Sequence, residues 1–333
     1  MIETDRLFVN WADYPSVAAF NDGTMAVHWL IENGSSSFDY NVNVALSSDK
    51  GRSWRAPIVP HSDRSQQQHG FVTLLPTKQN LLMAVWLDGR AYETDGNVSK
   101  SETFTNAMQL RTTTIGSDGS LSEDALLDIR TCSCCQTAAA ITESGAVLVA
   151  YRDRTAQEIR DISVVRLSNG KWSKPKTIHE DGWKIAGCPV NGPSIDANGE
   201  RVALAWYTAA NDAPMVQVAF SKDAGQQFES ISRVDLGEAS GRVDIVQLDD
   251  GSALVSWVEL RDDGEALLVC RAWPGTGCGA TQVMMQNQAG GSINFPRMAY
   301  ADGQVYFAWT QPVKSITSSR SLGSTVKMLL ARF

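Results

Sequence analysis

The sequence lacks any apolar run near the roughly 20 residues that a membrane-spanning helix requires. It also lacks a basic excess. Lys and Arg number 29 against 37 Asp and Glu, for a net charge of -8, so the electrostatic footprint of a nucleic-acid binder is missing. No P-loop, dinucleotide fingerprint or standard zinc spacing occurs, and no cofactor is expected. The opening residues, Met1-Ile2-Glu3-Thr4-Asp5-Arg6, do not have the charged-then-apolar layout of a secretory leader. Cysteine is sparse but even in number, at 6 in 333 residues. That suits an oxidising compartment in a chain too large to need disulfides for folding. The chain is either cytoplasmic or one whose leader was removed; the expectation is an exported protein, periplasmic or extracellular and monomeric, with a small-molecule ligand, no nucleic-acid partner and no transmembrane segment.

What is present is a repeat. An alternating strand, a Gly-bearing turn and a second strand ending in an aromatic recur along the chain. The aromatics are Trp29, Trp86, Tyr151, Trp206, Trp257 and Trp309. Their spacing is what a four-stranded propeller blade needs when its loops are generous. A third strand follows each pair, as at Val42 to Leu46, Val216 to Phe220 and Leu267 to Arg271. The fold expected is all-β: a single six-bladed β-propeller domain over 1–333 with four-stranded blades. The sixth blade reaches only its third strand, Val326 to Phe333, and the run Leu7 to Trp11 has no partner. Pairing the two predicts a ring closed by the N-terminal strand, with no open edge.

Two turns after third strands share a pattern. Ser47-Ser48-Asp49-Lys50-Gly51-Arg52-Ser53-Trp54 and Ser221-Lys222-Asp223-Ala224-Gly225-Gln226-Gln227-Phe228 both read S-x-D-x-G-x-x-aromatic, with a degraded copy at Ser168 to Trp172. The Asp side chain caps backbone N–H groups and Gly supplies a positive φ. These turns resemble the Asp boxes of sialidases and related BNR-repeat propellers, and the resemblance covers the whole chain as architecture.

Strand direction sorts the polar residues. The start of a first strand and the end of a second lie at one end of a blade, while the Asp boxes lie at the other. The first set contains Asp13, Tyr14, His69, Cys134 to Gln136, Asn191, Arg242 and Asn294. The second contains Asp88-Gly89-Arg90, Arg152-Asp153-Arg154, Tyr207 and Glu259-Leu260-Arg261. The resemblance implies a central funnel at that end, where three arginines grip a carboxylate beside a Tyr–Glu nucleophile pair and an Asp acid/base. Arg90, Arg152, Arg242, Arg261, Tyr207 and His69 are the candidate substrate-binding residues, bidentate Arg being the natural carboxylate clamp. Glu259, Asp88 and Asp153 are the candidate catalytic carboxylates. The bland alternative is that Asp88 with Arg90, and Asp153 with Arg154, only rigidify their loops. The sequence also departs from the family: Asp13-Tyr14-Pro15 stands where Arg-Ile-Pro is usual, and an acidic residue there would repel a sialic acid carboxylate. The expectation is a glycan-binding or glycan-hydrolysing propeller that is not an authentic sialidase.

Cys132-Ser133-Cys134-Cys135, Cys188 and His69 open three consecutive blades at the same end. Soft thiolates with imidazole favour copper or zinc, so a soft-metal or thiol-redox protein is the alternative function. The other reading is structural disulfides, with Cys188 joined to one member of the cluster. Cys270 and Cys278 flank a turn-rich stretch and are expected to close a local loop.

Overall fold

The computed structural model describes residues 6–36, 38–92, 107–262, 264–287, 292–314 and 321–331. Met1 to Asp5 and the last two residues of the expected run Val326 to Phe333 lie outside them. The fold is all-β, a six-bladed propeller of antiparallel sheets, with one short 3-10 turn among the described residues, Ala210–Asp212. The residues group into two compact units, Met1–Ile141 with Val147–Val190, and Thr142–Ala146 with Asn191–Phe333.

In the first unit, the first sheet holds Leu7–Phe8, Ser16–Ala19, Met25–Glu32 and Tyr40–Ser47. The second holds His69–Pro76, Leu81–Asp88, Gln109–Gly116 and Ala125–Asp128. The third is built on Ala138–Ile141, Val147–Arg152 and Ile162–Ser168, with short pieces at Lys171–Trp172 and Lys176–Thr177. In the second unit, the fourth sheet runs Ser194–Asn198, Arg201–Thr208, Met215–Ser221 and Glu229–Arg233. The fifth is Ala239–Gln247, Ala253–Arg261 and Gly264–Trp273, edged by Gly277–Cys278 and Gln282–Gln286. The sixth is Arg297–Ala301, Gln304–Lys314 and Ser321–Ala331.

The repeated aromatics lie on Met25–Glu32, Leu81–Asp88, Val147–Arg152, Arg201–Thr208, Ala253–Arg261 and Gln304–Lys314, one strand in each sheet. Trp86, Trp206 and Trp257 are fully buried. Val42, Val44 and Leu46 pack with Leu82, Ala84 and Trp86 between the first and second sheets. Val216, Val218 and Phe220 pack with Val255, Trp257 and Leu268 between the fourth and fifth. Burying such a side chain contributes about 1.5–3 kcal/mol, so these seams between sheets hold each unit together.

Both S-x-D-x-G turns cap themselves. Ser47 Oγ donates to Asp49 at 2.8 Å, Asp49 accepts the Ser53 N–H at 2.9 Å, and Gly51 adopts φ 81°. Ser221 Oγ donates to Asp223 at 2.8 Å, Asp223 accepts the Gln227 N–H at 3.0 Å, and Gly225 has φ 73°.

The N-terminal strand does not close the ring as expected. Leu7 and Phe8 pair with Ile31 and Leu30, inside the first sheet. The reason is local. Ser16–Ala19 covers only Met25 to His28 of its neighbour and leaves the far half of that edge open. Leu7–Phe8 fills the vacancy, and the Phe8 ring stacks on Tyr40 at 3.9 Å. The sixth sheet has three strands among the described residues.

Candidate functional site

In the second and fifth sheets the start of the first strand pairs with the end of the second, His69 with Asp88 and Ala239 with Glu259. That register brings the sequence-predicted polar residues of each blade to one end of its sheet.

In the second sheet they form a closed ionic chain. Asp88 is fully buried and accepts the Trp86 indole N–H at 2.7 Å. Arg90 grips it with Nε at 2.8 Å and Nη2 at 2.7 Å, then reaches Asp124 at 3.2 Å, which Arg111 also holds at 2.6 Å. Burial pushes the Asp88 carboxyl up, but the bonds from Arg90 and the His69 ring outweigh it and hold the pKa below the usual value. His69 is buried. Its Nδ1 meets the Gln67 carbonyl at 2.9 Å and its Nε2 lies 3.0 Å from Asp63, with the His61 ring stacked 3.9 Å away. Asp63, Asp124 and His61 were not legible as partners, because they sit on loops outside the repeat.

In the third sheet, Arg152 is buried, donates to the Arg160 carbonyl at 2.6 Å and lies over the Trp183 ring. Burial, then the charge of Asp128, raises Asp153 to about 6, and its carboxylate accepts Ser163 Oγ at 2.9 Å. Beside them three buried arginines converge on Glu158. Arg154 reaches it through Nη2 at 2.8 Å and Nε at 3.0 Å, Arg160 at 3.0 Å and Arg130 at 3.6 Å. Glu158 itself is 23% exposed.

The cysteines adjoin this cluster. Cys134 and Cys188 are joined, and so are Cys270 and Cys278, the local loop expected from their spacing. Cys132 and Cys135 remain buried thiols with sulfurs 2.8 Å apart, and the Cys132 sulfur is 3.7 Å from that of Cys134. Arg160 Nη1 donates to Cys132 at 3.4 Å. Burial raises the Cys132 thiol, but the Cys135 hydrogen bond and the Arg160 charge outweigh it and pull the pKa below the ordinary thiol value. The Cys134–Cys188 bond withdraws two sulfurs from any set of metal ligands, and the two ring nitrogens of His69 face Gln67 and Asp63.

In the second unit, Glu259 is buried. It accepts the Trp257 indole N–H at 2.7 Å and the backbone N–H groups of Glu238 at 3.1 Å and Leu236 at 3.3 Å. Arg242 pairs with Glu265 at 2.7 Å and donates to the Ile293 carbonyl at 2.5 Å. Tyr207 is half-buried, and Arg261 is exposed at the end of its strand.

Asp13 holds a bulge of the second sheet in place. Phe71 has φ 53°, an uncommon conformation for a bulky residue, at a bulge where the first strand carries one extra residue between Gly70 and Thr73. Its N–H donates to both Asp13 oxygens at 2.9 Å. The fifth sheet repeats the device: Arg242 has φ 54° at a bulge between Gly241 and Asp244, and its N–H donates to Asn191 at 2.8 Å. A Cβ at Gly70 would collide with Asp13, and one at Gly241 with Asn191. Burial raises Asp13 from 3.8 to about 7 despite the Phe71 hydrogen bond. The native state therefore keeps a proton that the unfolded chain releases above pH 3.8, and stability falls as pH rises from there to about 7. Melting curves between pH 5 and pH 8 should show a smaller fall for Asp13→Asn than for the wild type. An equal fall would separate this carboxyl from the effect.

No protein-family model matches the chain, and no curated protein matches it significantly. Solved structures do. A protein of unknown function from Dyadobacter fermentans is similar over 98% of this chain and 97% of its own, at 15% identity and a TM-score of 0.61. The NanB sialidase of Streptococcus pneumoniae is similar over 93% of this chain and 67% of its own, at 11% identity and a TM-score of 0.58. The intramolecular trans-sialidase of Ruminococcus gnavus, solved with oseltamivir carboxylate, is similar over 92% and 93%, at 11% identity and a TM-score of 0.57. The chain shares the sialidase propeller fold.

Proposed function

We propose that this sialidase-fold propeller binds a glycan bearing a carboxylate, and that it does not hydrolyse sialosides. The observation that carries the reading is the convergence of Arg130, Arg154 and Arg160 on Glu158. Three guanidinium groups around one partly exposed carboxylate form a site that an acidic sugar can enter by displacing Glu158, because planar guanidinium groups match a carboxylate bidentately. Arg90, Arg152 and Arg242 make bonds that tie the fold together, and they serve the ligand by holding the loops beside it. Two features support the absence of sialidase chemistry. Asp13 clamps a bulge where a gripping arginine was expected, and Glu259 and Asp88 are buried with oxygens engaged by indole and other N–H donors.

The test has two arms. Hydrolysis of a fluorogenic sialic acid glycoside should be negligible, and robust turnover lost in Glu259→Gln would restore the sialidase mechanism. Calorimetry with glucuronate and sialic acid should show affinity rising about tenfold in Glu158→Gln, the change expected from removing about 1.4 kcal/mol of competition. No binding to either form would overturn the glycan reading. The cysteine cluster supports a second reading, thiol redox chemistry, since its sulfurs stand as a joined pair beside a thiol pair.

A further inference from the structure

Cys132, Cys134 and Cys135, which precede the third sheet, and Cys188, which is joined to Cys134, are graded from interior to solvent. Cys132 and Cys135 are 0% and 2% exposed. Cys134 is half-buried and Cys188 exposed. The inner pair carries thiols and the outer pair a disulfide, with 3.7 Å between the sulfurs of Cys132 and Cys134. The Arg160 guanidinium next to Cys132 favours the thiolate, the attacking form in thiol–disulfide exchange.

We propose that these residues are a thiol–disulfide relay, in which the buried Cys132/Cys135 dithiol passes two electrons through the Cys134–Cys188 disulfide to a disulfide-bearing substrate. This deepens the thiol reading given above and rests on it. In the first step the Cys132 thiolate attacks the Cys134 sulfur. A Cys132–Cys134 bond forms, the Cys134–Cys188 bond breaks, and the electron pair leaves on Cys188, which takes a proton from solvent. In the second step Cys135 releases its proton and attacks the Cys132 sulfur, 2.8 Å away. The Cys132–Cys135 bond forms and Cys134 leaves as a thiolate. The chain has then exchanged no electrons with its surroundings, but its dithiol now faces outward. Cys188 and Cys134 next reduce the substrate: their disulfide re-forms, and the substrate disulfide becomes two thiols.

The reaction is read as a single turnover with glutathione disulfide under anaerobic conditions, followed by acid quench, alkylation and peptide mapping. The chain should release two glutathione molecules, its two thiols should be consumed, and a Cys132–Cys135 link should appear beside a retained Cys134–Cys188 link. Cys132→Ala should release none. Cys134→Ala/Cys188→Ala keeps the buried dithiol but removes its outlet, and should release glutathione at least tenfold more slowly, with folding checked by circular dichroism. Release from that double variant at the wild-type rate overturns the relay while leaving thiol chemistry in place. No release from the wild type overturns both.

Discussion

Cys188→Ser should lower the melting temperature by several degrees under oxidising conditions, with little difference from wild type once both are reduced. The Cys134–Cys188 bond links residues 54 apart in sequence. In the chain-entropy account, closing a loop of that size in the unfolded state contributes about 4 kcal/mol. Spread over the unfolding entropy of a chain this long, that is a shift of roughly 5 °C. The serine variant leaves Cys134 beside Cys132, but a bond between neighbours so close in sequence constrains far less of the unfolded chain. Calorimetry of both proteins with and without reductant provides the check. An unchanged melting temperature under oxidising conditions would show that the bond does not constrain unfolding.

Glu259→Ala should be still more damaging to the fold than its position at a strand end suggests. The substitution leaves the Trp257 indole N–H and two backbone N–H groups without their acceptor, in a site from which water is shut out. Each stranded donor costs about 1–3 kcal/mol, and together they should destabilise by roughly 3–9 kcal/mol. Glu259→Gln keeps the volume and one acceptor oxygen, so it should cost about half as much. Urea unfolding of the pair measures both. A midpoint unchanged in Glu259→Ala would return this carboxylate to the catalytic role that its position invites.

The repeat carried most of the fold into view. Trp29, Trp86, Tyr151, Trp206, Trp257 and Trp309 stand out because the corresponding strand of every sheet carries one, and at Trp86, Trp257 and Trp309 a packed seam between sheets constrains the residue. The ends of the architecture were harder to read. Leu7 and Phe8 can pair with any open edge, and the gap beside Leu30 and Ile31 depends on how short Ser16–Ala19 turns out to be. Alternation also placed Asp88, Arg152 and Glu259 at the correct end of their strands, but it could not show what they touch. Their partners, or those of their neighbours, are Asp124, Trp183, Glu158, Arg160 and the backbone of Leu236, all supplied by loops or later strands without a fixed register. The cysteine cluster was visible as composition. Which sulfur meets Cys188 depends on the path of 132–135, and Cys134 lies on the outward side of that turn.

The bulges at Phe71 and Arg242 bear on how such a chain can diverge. Each extra residue shifts the two-residue alternation of its strand by one, so His69 and Gly70 in the second sheet, and Gly241 in the fifth, are out of phase with the packed stretch after the bulge. The bulge thereby acts as a frame boundary. Upstream, a change of length or of side chain alters that end of the blade and stops at the boundary. Downstream, Thr73 to Pro76 and Asp244 to Gln247 keep their pairing and their place against the next sheet. A chain with such boundaries can change the chemistry at the ends of its blades while keeping their packed interiors.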